Sequence, residues 1–286
     1  MTQKNQGILF ALLSTILYSL GGLLMKGIPS WDGLALNAGR SVISIFIYAA
    51  FLLLTRHKLR MNRWILFGAV NVGLNNALFT LANKMTSAAN AVVLMFTAPV
   101  FIIILSAIFL KKRPHRLEII TCIVVFGGTL LFFIESFGGG SLAGDFVAVL
   151  CGLMYGLTFM LNDMPGSDPI SSVFYGAFVG VIIGLPSMLA APPLGGSELI
   201  NMLALGALQT GLAYVFLALS LATTPAITAS LISGIQPVLS PILVAVVYGE
   251  IMGPVSFAGA AIVVIGVLTY NVIKARESTT KSASPV

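Results

Sequence analysis

From Leu117 to Ile273 the chain holds no lysine or arginine, and its residues there fall into apolar runs of about 20 separated by glycine and proline turns. Runs of the same kind precede Leu117. A stretch of that length with few charges is what an α-helix needs to cross the hydrocarbon core of a bilayer, where backbone groups must be satisfied within the helix. Composition agrees: 58% of the 286 residues are hydrophobic and 8% charged, against roughly 45–50% and 25% in soluble domains. A soluble domain of this size lacks the interior to hide so much apolar surface. This excludes a soluble enzyme, a disordered chain, a secreted disulfide scaffold and a nucleic-acid-binding domain. The chain reads as an all-α integral membrane protein.

Spans are expected at about 7–25, 33–55, 64–83, 87–109, 118–135, 142–161, 170–191, 198–220, 225–248 and 254–273. Turns at Gly27 to Gly33, Gly138 to Gly140, Pro165 to Pro169, Pro192 to Gly196 and Gly253–Pro254 divide them. The first run is too long for a cleavable signal and reads as a retained span. With the N-terminus inside, Lys4, Arg56, Lys58, Arg60, Arg63, Lys111, Lys112, Arg113, Arg116, Lys274, Arg276 and Lys281 are cytoplasmic, 12 of the 15 basic residues. That bias places both termini inside a plasma or inner membrane. His57 and His115 lie in the same basic loops and read as solvated bystanders.

The halves resemble each other. At an offset of 137, Gly7, Ala11, Leu13 and Tyr18 meet Gly144, Ala148, Leu150 and Tyr155; at 138, Gly68, Ala69, Gly73, Leu74, Thr86, Pro99 and Gly128 meet Gly206, Ala207, Gly211, Leu212, Thr224, Pro237 and Gly266. The units are residues 1–137, residues 138–273 and a polar cytoplasmic tail at 274–286. Five spans per unit is odd, so the second copy enters from the opposite side: ten transmembrane helices in two inverted five-helix repeats. Inverted repeats give many secondary transporters their two related conformations.

Three stretches carry a family resemblance: TSAANAVVLMFTAPVF (Thr86 to Phe101), TPAITASLISGIQPVLSPIL (Thr224 to Leu243) and GEIMGPVSFAGAAIVVIGVL (Gly249 to Leu268). With Asn37 to Ser41 on the second span, the chain resembles the drug/metabolite transporter superfamily, EamA type, over about residues 7–273. The first repeat departs from the pattern, with Lys112 where the second has Glu250. The resemblance implies a carrier, and marks the substrate poorly, since the superfamily moves amino acids, nucleotides, vitamins, amines and drugs.

Polar side chains in mid-span are costly unless they face a cavity or a partner. Tyr18, Asn71, Asn75, Asn76, Thr97, Tyr155, Gln209, Tyr214, Ser233 and Gln236 are therefore the candidates for a substrate site, and Pro99, Pro237 and Pro241 for gating kinks. Asn71 and Asn75 share one face of their helix, while Asn76, Thr80 and Asn83 share another. One stripe should line the cavity and the other bond between helices. Arg40 lies roughly 10 Å inside its span. It either snorkels outward to a loop carbonyl or Asp32, or forms an outer vestibule with Lys84 that attracts anions. No Asp or Glu lies near mid-span, which argues against a permanently cationic substrate and leaves the proton site of a coupled carrier, if any, to an end-of-helix acid such as Asp145. The expected activity is alternating-access transport of a small amphipathic or zwitterionic metabolite, amino acid-like or aromatic, rather than catalysis; a channel, a scramblase-like facilitator and a membrane-embedded enzyme are the alternatives. No paired membrane carboxylates, Walker A sequence or CxxC occurs, so neither metal nor cofactor is expected. Gly127, Gly128, Gly259 and Gly266 suit close packing of the fifth and tenth spans, within one chain or in a homodimer.

Overall fold

The apolar runs form helices whose ends are set by local chemistry. A computed structural model describes residues 3–109, 115–136, 142–162, 164–221, 232–249 and 253–283. Its helices in chain order are α1 (Gln3–Ser19), α2 (Gly21–Lys26), α3 (Gly33–Thr55), α4 (Arg63–Met85), α5 (Ala88–Met95), α6 (Ala98–Phe109), α7 (Arg116–Ser136), α8 (Leu142–Asn162), α9 (Pro169–Ala190), α10 (Gly196–Ala204), a π-helical segment (Leu205–Leu212), α11 (Ala213–Leu221), α12 (Gln236–Tyr248) and α13 (Pro254–Ala283). Among the described residues there is no strand. Asp32, Asn62 and Ser87 cap α3, α4 and α5 by accepting the backbone N–H three residues on, which satisfies a donor the helix cannot.

Among the described residues, six segments are long and apolar enough to span a membrane: Asn5–Lys26, Gly33–Thr55, Arg63–Met85, Ala88–Leu105, Pro169–Ala190 and Gly196–Ser220. Leu142–Thr158, Gln236–Tyr248 and Pro254–Tyr270 are shorter apolar helices. The first part of the ninth expected span, and the Lys112 and Glu250 positions, lie outside the described residues. The tail expected after Ile273 continues α13 as helix to Ala283.

Burial departs from that of a soluble protein: large apolar side chains face outward, and polar ones are buried beside the apolar core. Leu54 and Val246 are 85% and 79% exposed, while Ser14, Asn37, Arg40, Asn75, Gln209 and Ser240 are buried. An apolar exterior with polar side chains held in the interior is the arrangement a lipid solvent selects.

The packing has an exchange pattern. α4 packs on α9, as the π segment packs on α3; α4 packs on α8, as α11 packs on α1; α5 and α6 pack on α8, as α12 packs on α1 and α2. α3 with α9, and α7 with α13, are the contacts that map onto themselves. Glycines set the close approaches. A Cβ at Gly73 would stand 2.6 Å from Val179 on α9, and one at Gly211, 138 residues on, 2.9 Å from Ile47 on α3. Gly128 faces the Gly259 carbonyl oxygen and Gly266 faces Val124, so these glycines are used within the chain, whereas a Cβ at Gly127 would meet nothing.

The connections gather at two ends. At one, the Ser30 N–H donates to Glu198, Trp31 Nε1 to the Pro192 carbonyl, and Lys84 Nζ to the Ile28 carbonyl at 2.6 Å. At the other, His57 Nε2 lies 2.9 Å from Asp168 Oδ2, and Asn62 Nδ2 donates to the Gly166 carbonyl. His57 is thus hydrogen-bonded to Asp168 rather than a solvated bystander.

Candidate functional site

The helices lose their regularity at one level, and the polar residues collect there. The fourth span breaks at Phe96–Thr97, between α5 and α6; the chain breaks at Gly234–Ile235 just before α12, at the same place 138 residues on. Pro99 and Pro237 each stand second in the helix that follows, where a missing N–H costs least. α1 and α2 are broken at Leu20, and the π segment surrounds Gln209. Such interruptions are tolerated at membrane depth only where protein or a cavity covers the backbone. Pro241 lies inside α12.

A cavity opens where these irregularities meet. It holds about 420 Å³ of atom-free space, its open mouth included. Tyr18 reaches it from just before the α1 break, Met95 from the last residue of α5, and Gln236 from the first of α12. α4 contributes Asn75, Asn76 and Phe79; α8 gives Tyr155; the π segment gives Gln209 and Thr210; α11 gives Tyr214. The rings of Tyr18 and Tyr214 meet edge to face, centroids 5.3 Å apart.

Arg40 stands directly behind this lining. Its Nη1 donates to Gln209 Oε1 at 3.1 Å, and its Nη2 to the carbonyl and side-chain oxygens of Asn76 at 2.8 and 3.2 Å. Its carbon Cζ lies 5.9 Å from the centre of the Phe79 ring. Gln209 also accepts from Thr210 Oγ1, whose own backbone carbonyl accepts from Tyr48 Oη. Gly21, just past the α1 break, leaves room for Gln209: a Cβ there would stand 3.3 Å from Gln209 Nε2.

Several expectations need correction. Arg40 neither snorkels outward nor shares a vestibule with Lys84; it points inward, because Asn76 and Gln209 offer oxygens there, while Asp32 is occupied by Ala35 N and Ser187 Oγ. Lys84 holds the Ile28 carbonyl instead. Asn71 is not part of the cavity lining: its Nδ2 donates to the Met154 carbonyl and Thr158 Oγ1, tying α4 to α8. The two asparagine stripes do not divide into cavity and packing faces, since the cavity lies at the turn where Asn75 and Asn76 adjoin. Thr97 donates to the Leu94 carbonyl and is buried against Gly152. Ser233, half-buried, is not in the cavity wall. Of Pro99 only the backbone is described. Phe79, Met95 and Thr210 were missed, the first two because an apolar residue in an apolar span carries no mark.

The relatives agree with this architecture. A sequence profile described as the EamA-like transporter family matches residues 5–134 and again 142–272. A Bacillus subtilis (strain 168) protein named uncharacterized transporter YwfM is 24% identical over 292 residues, covering 96% of this chain and 97% of its own. Uncharacterized transporter YyaM of the same strain is 26% identical over 250 residues, 81% of each chain. An uncharacterized transporter of Clostridium kluyveri (strain ATCC 8527 / DSM 555 / NBRC 12016 / NCIMB 10680 / K1) is 24% identical over 295 residues, 93% of this chain and 94% of its own. A protein crystal structure superposes with TM-score 0.66 at 18% identity, covering 96% of this chain and 99% of that one; the likeness is one of fold.

Proposed function

This chain belongs to the EamA-like transporter family, and from that premise we propose that it is a secondary carrier that moves a small amphipathic metabolite, amino acid-like or aromatic, by alternating access. It is an integral membrane protein, and the reading adds ten spans in two inverted five-helix repeats, with both termini on the cytoplasmic side of the cell membrane.

The observation that carries the reading is the convergence of interrupted helices from both halves on one polar cavity at mid-span. Half-helix ends at such a site expose unpaired N–H and carbonyl groups to a solute, as in carriers built from inverted repeats. The exchange pattern of helix contacts supports a two-fold relation between the halves. Under that relation α1, α4, α5 and α6 swap roles with α8, the α10–α11 unit and α12. The cavity lies between elements that would rock against each other, with the Pro99 and Pro237 breaks as bending points.

Counterflow in liposomes tests this. Purified protein is reconstituted and screened with radiolabelled amino acids and aromatic acids. A carrier gives saturable uptake that internal unlabelled solute accelerates. Saturable uptake without acceleration, or flux that never saturates, assigns an open pore or scramblase-like path instead; no flux above protein-free liposomes overturns transport of these classes.

A further inference from the structure

The cavity wall is made of neutral groups, but the group that braces it is a cation. Arg40 is 1% exposed. Its guanidinium carries five N–H donors, and the partners it has are the amide and carbonyl oxygens of Asn76 and Gln209. Among the described residues its Nε has no partner. Among the described residues no Asp or Glu pairs with it. A buried charge facing only dipoles is expensive. If the role were only to join α3 to α4 and α10–α11, a neutral amide would suffice without that cost. A guanidinium kept charged, buried and part-satisfied is instead ready for an anion, since its fork matches a carboxylate.

The rest of the wall restricts what the anion is attached to. Phe79, Met95 and Tyr155 offer apolar and aromatic faces, and Gln236 and Tyr214 add hydrogen-bonding tips. Among the described residues that line it, none carries a negative charge to receive an ammonium group. We propose that the cavity takes a small organic anion, a carboxylate on an apolar or aromatic body, with Arg40 as its counter-charge. The carboxylate displaces the Gln209 or Asn76 oxygen from the guanidinium, since both residues line the cavity in front of it. This rests on the carrier reading and narrows its substrate class.

Three probes of one shape test it: 3-phenylpropanoate, 3-phenylpropanamide and 3-phenylpropan-1-amine, titrated against thermal unfolding of the purified full chain. The acid should raise Tm, with an affinity about tenfold or more above those of the amide and amine, as expected for a charge-assisted bond. Arg40→Gln should lose that preference, and Arg40→Lys should keep it at lower affinity. Gln209→Glu guards against misfolding of the first variant. It places a carboxylate where Gln209 Oε1 already sits 3.1 Å from Nη1, so the unliganded protein should unfold no earlier while the shift with acid disappears. Equal binding of acid and amide, survival of the acid's advantage in Arg40→Gln or Gln209→Glu, or no shift by any probe overturns the proposal. Counterflow separates the two readings. If acid binds through Arg40 without trans-accelerated flux, the carrier fails and the anion site stands. If the screen finds a neutral or cationic solute whose exchange Arg40→Gln leaves intact, the carrier stands and the anion site fails.

Discussion

The two halves share a frame and differ in chemistry. Gly68 and Gly73 let α4 approach α9; their counterparts Gly206 and Gly211 let the π segment approach α3. Both copies break a helix two residues before a proline, at Phe96–Thr97 and Gly234–Ile235. Yet α4 is regular throughout while its counterpart turns π-helical around Gln209, and α1 is broken where α8 is continuous. Arg40 on α3 has no cation opposite it on α9, where Ala177 and Phe178 occupy the matching positions. The single-copy features all gather at the cavity. Duplication accounts for the shared scaffold; the departures from it surround the cavity. π segments recur at functional sites for the same reason, since they re-aim a side chain at a cost in helix geometry.

The sharpest way to break this symmetry is at the glycines. A Cβ at Gly206 would stand 2.5 Å from Ile43 Cβ and 3.0 Å from the Arg40 carbonyl oxygen, a branched side chain and a backbone that must both move. A Cβ at Gly68 would meet only Ser172, its hydroxyl at 2.8 Å, which can rotate, and its Cβ at 3.2 Å, which must give by a few tenths of an ångström. Gly206→Ala should therefore cost about 1–3 kcal/mol as an overpacking change, and disturb Arg40 as well, while Gly68→Ala should cost well under half as much. Thermal unfolding of the two variants in one detergent measures the difference. Equal losses would mean that the two interfaces are interchangeable.

A smaller effect is expected at the counterpart pair Asn71 and Gln209. Asn71 ties α4 to α8 through Met154 and Thr158, so Asn71→Ala should lower stability by about 0.6–1.7 kcal/mol, the range for hydrogen bonds between membrane helices. It should leave ligand affinity unchanged. Gln209→Ala removes an Arg40 partner that also lines the cavity, and should alter ligand affinity several-fold at a similar stability cost. Ligand-dependent and ligand-free unfolding curves separate the two. If Asn71→Ala changes affinity as much as Gln209→Ala does, the division of roles between the halves is wrong.

Much of the frame was legible because lipid makes the code simple. Apolar length marks the spans, and the Gly and Pro offsets mark the repeat. Depth could also be counted along a helix, which brought Tyr18, Asn75, Asn76, Tyr155, Gln209, Tyr214 and Gln236 forward. Direction could not. Whether Arg40 turns outward to Asp32 or inward to Asn76 depends on which neighbour supplies an oxygen, a fact of tertiary packing. The same holds for Asn71, whose partners are 83 and 87 residues away. The π segment has no proline to announce it, and Phe79 and Met95 become wall residues only because the neighbouring helices break.

The smallest expected effect concerns the His57–Asp168 hydrogen bond that joins the halves at one end. His57 follows α3, and Asp168 caps the approach to α9; Ser171 Oγ also donates to Asp168 Oδ2, at 2.6 Å. Burial alone would raise the Asp168 carboxyl, but hydrogen bonds from Ser171 and His57, with the charge of His57, outweigh it and hold the group below its usual range. A carboxyl lowered on folding adds stability above its unfolded value of about 3.9 and loses it as pH falls through the folded one. Asp168→Asn should thus cost under about 1 kcal/mol at pH 7, because the His57 side chain is 35% exposed and water screens the pair. The gap between wild type and variant should begin to close as pH falls to the unfolded value of about 3.9 and vanish once pH has passed through the lowered folded one, as the wild-type carboxyl takes up its proton. A gap that persists after the wild-type carboxyl has taken up its proton would show that Asp168 acts through its shape and its bond to Ser171 rather than its charge, and the link between the halves at this end would then be packing alone.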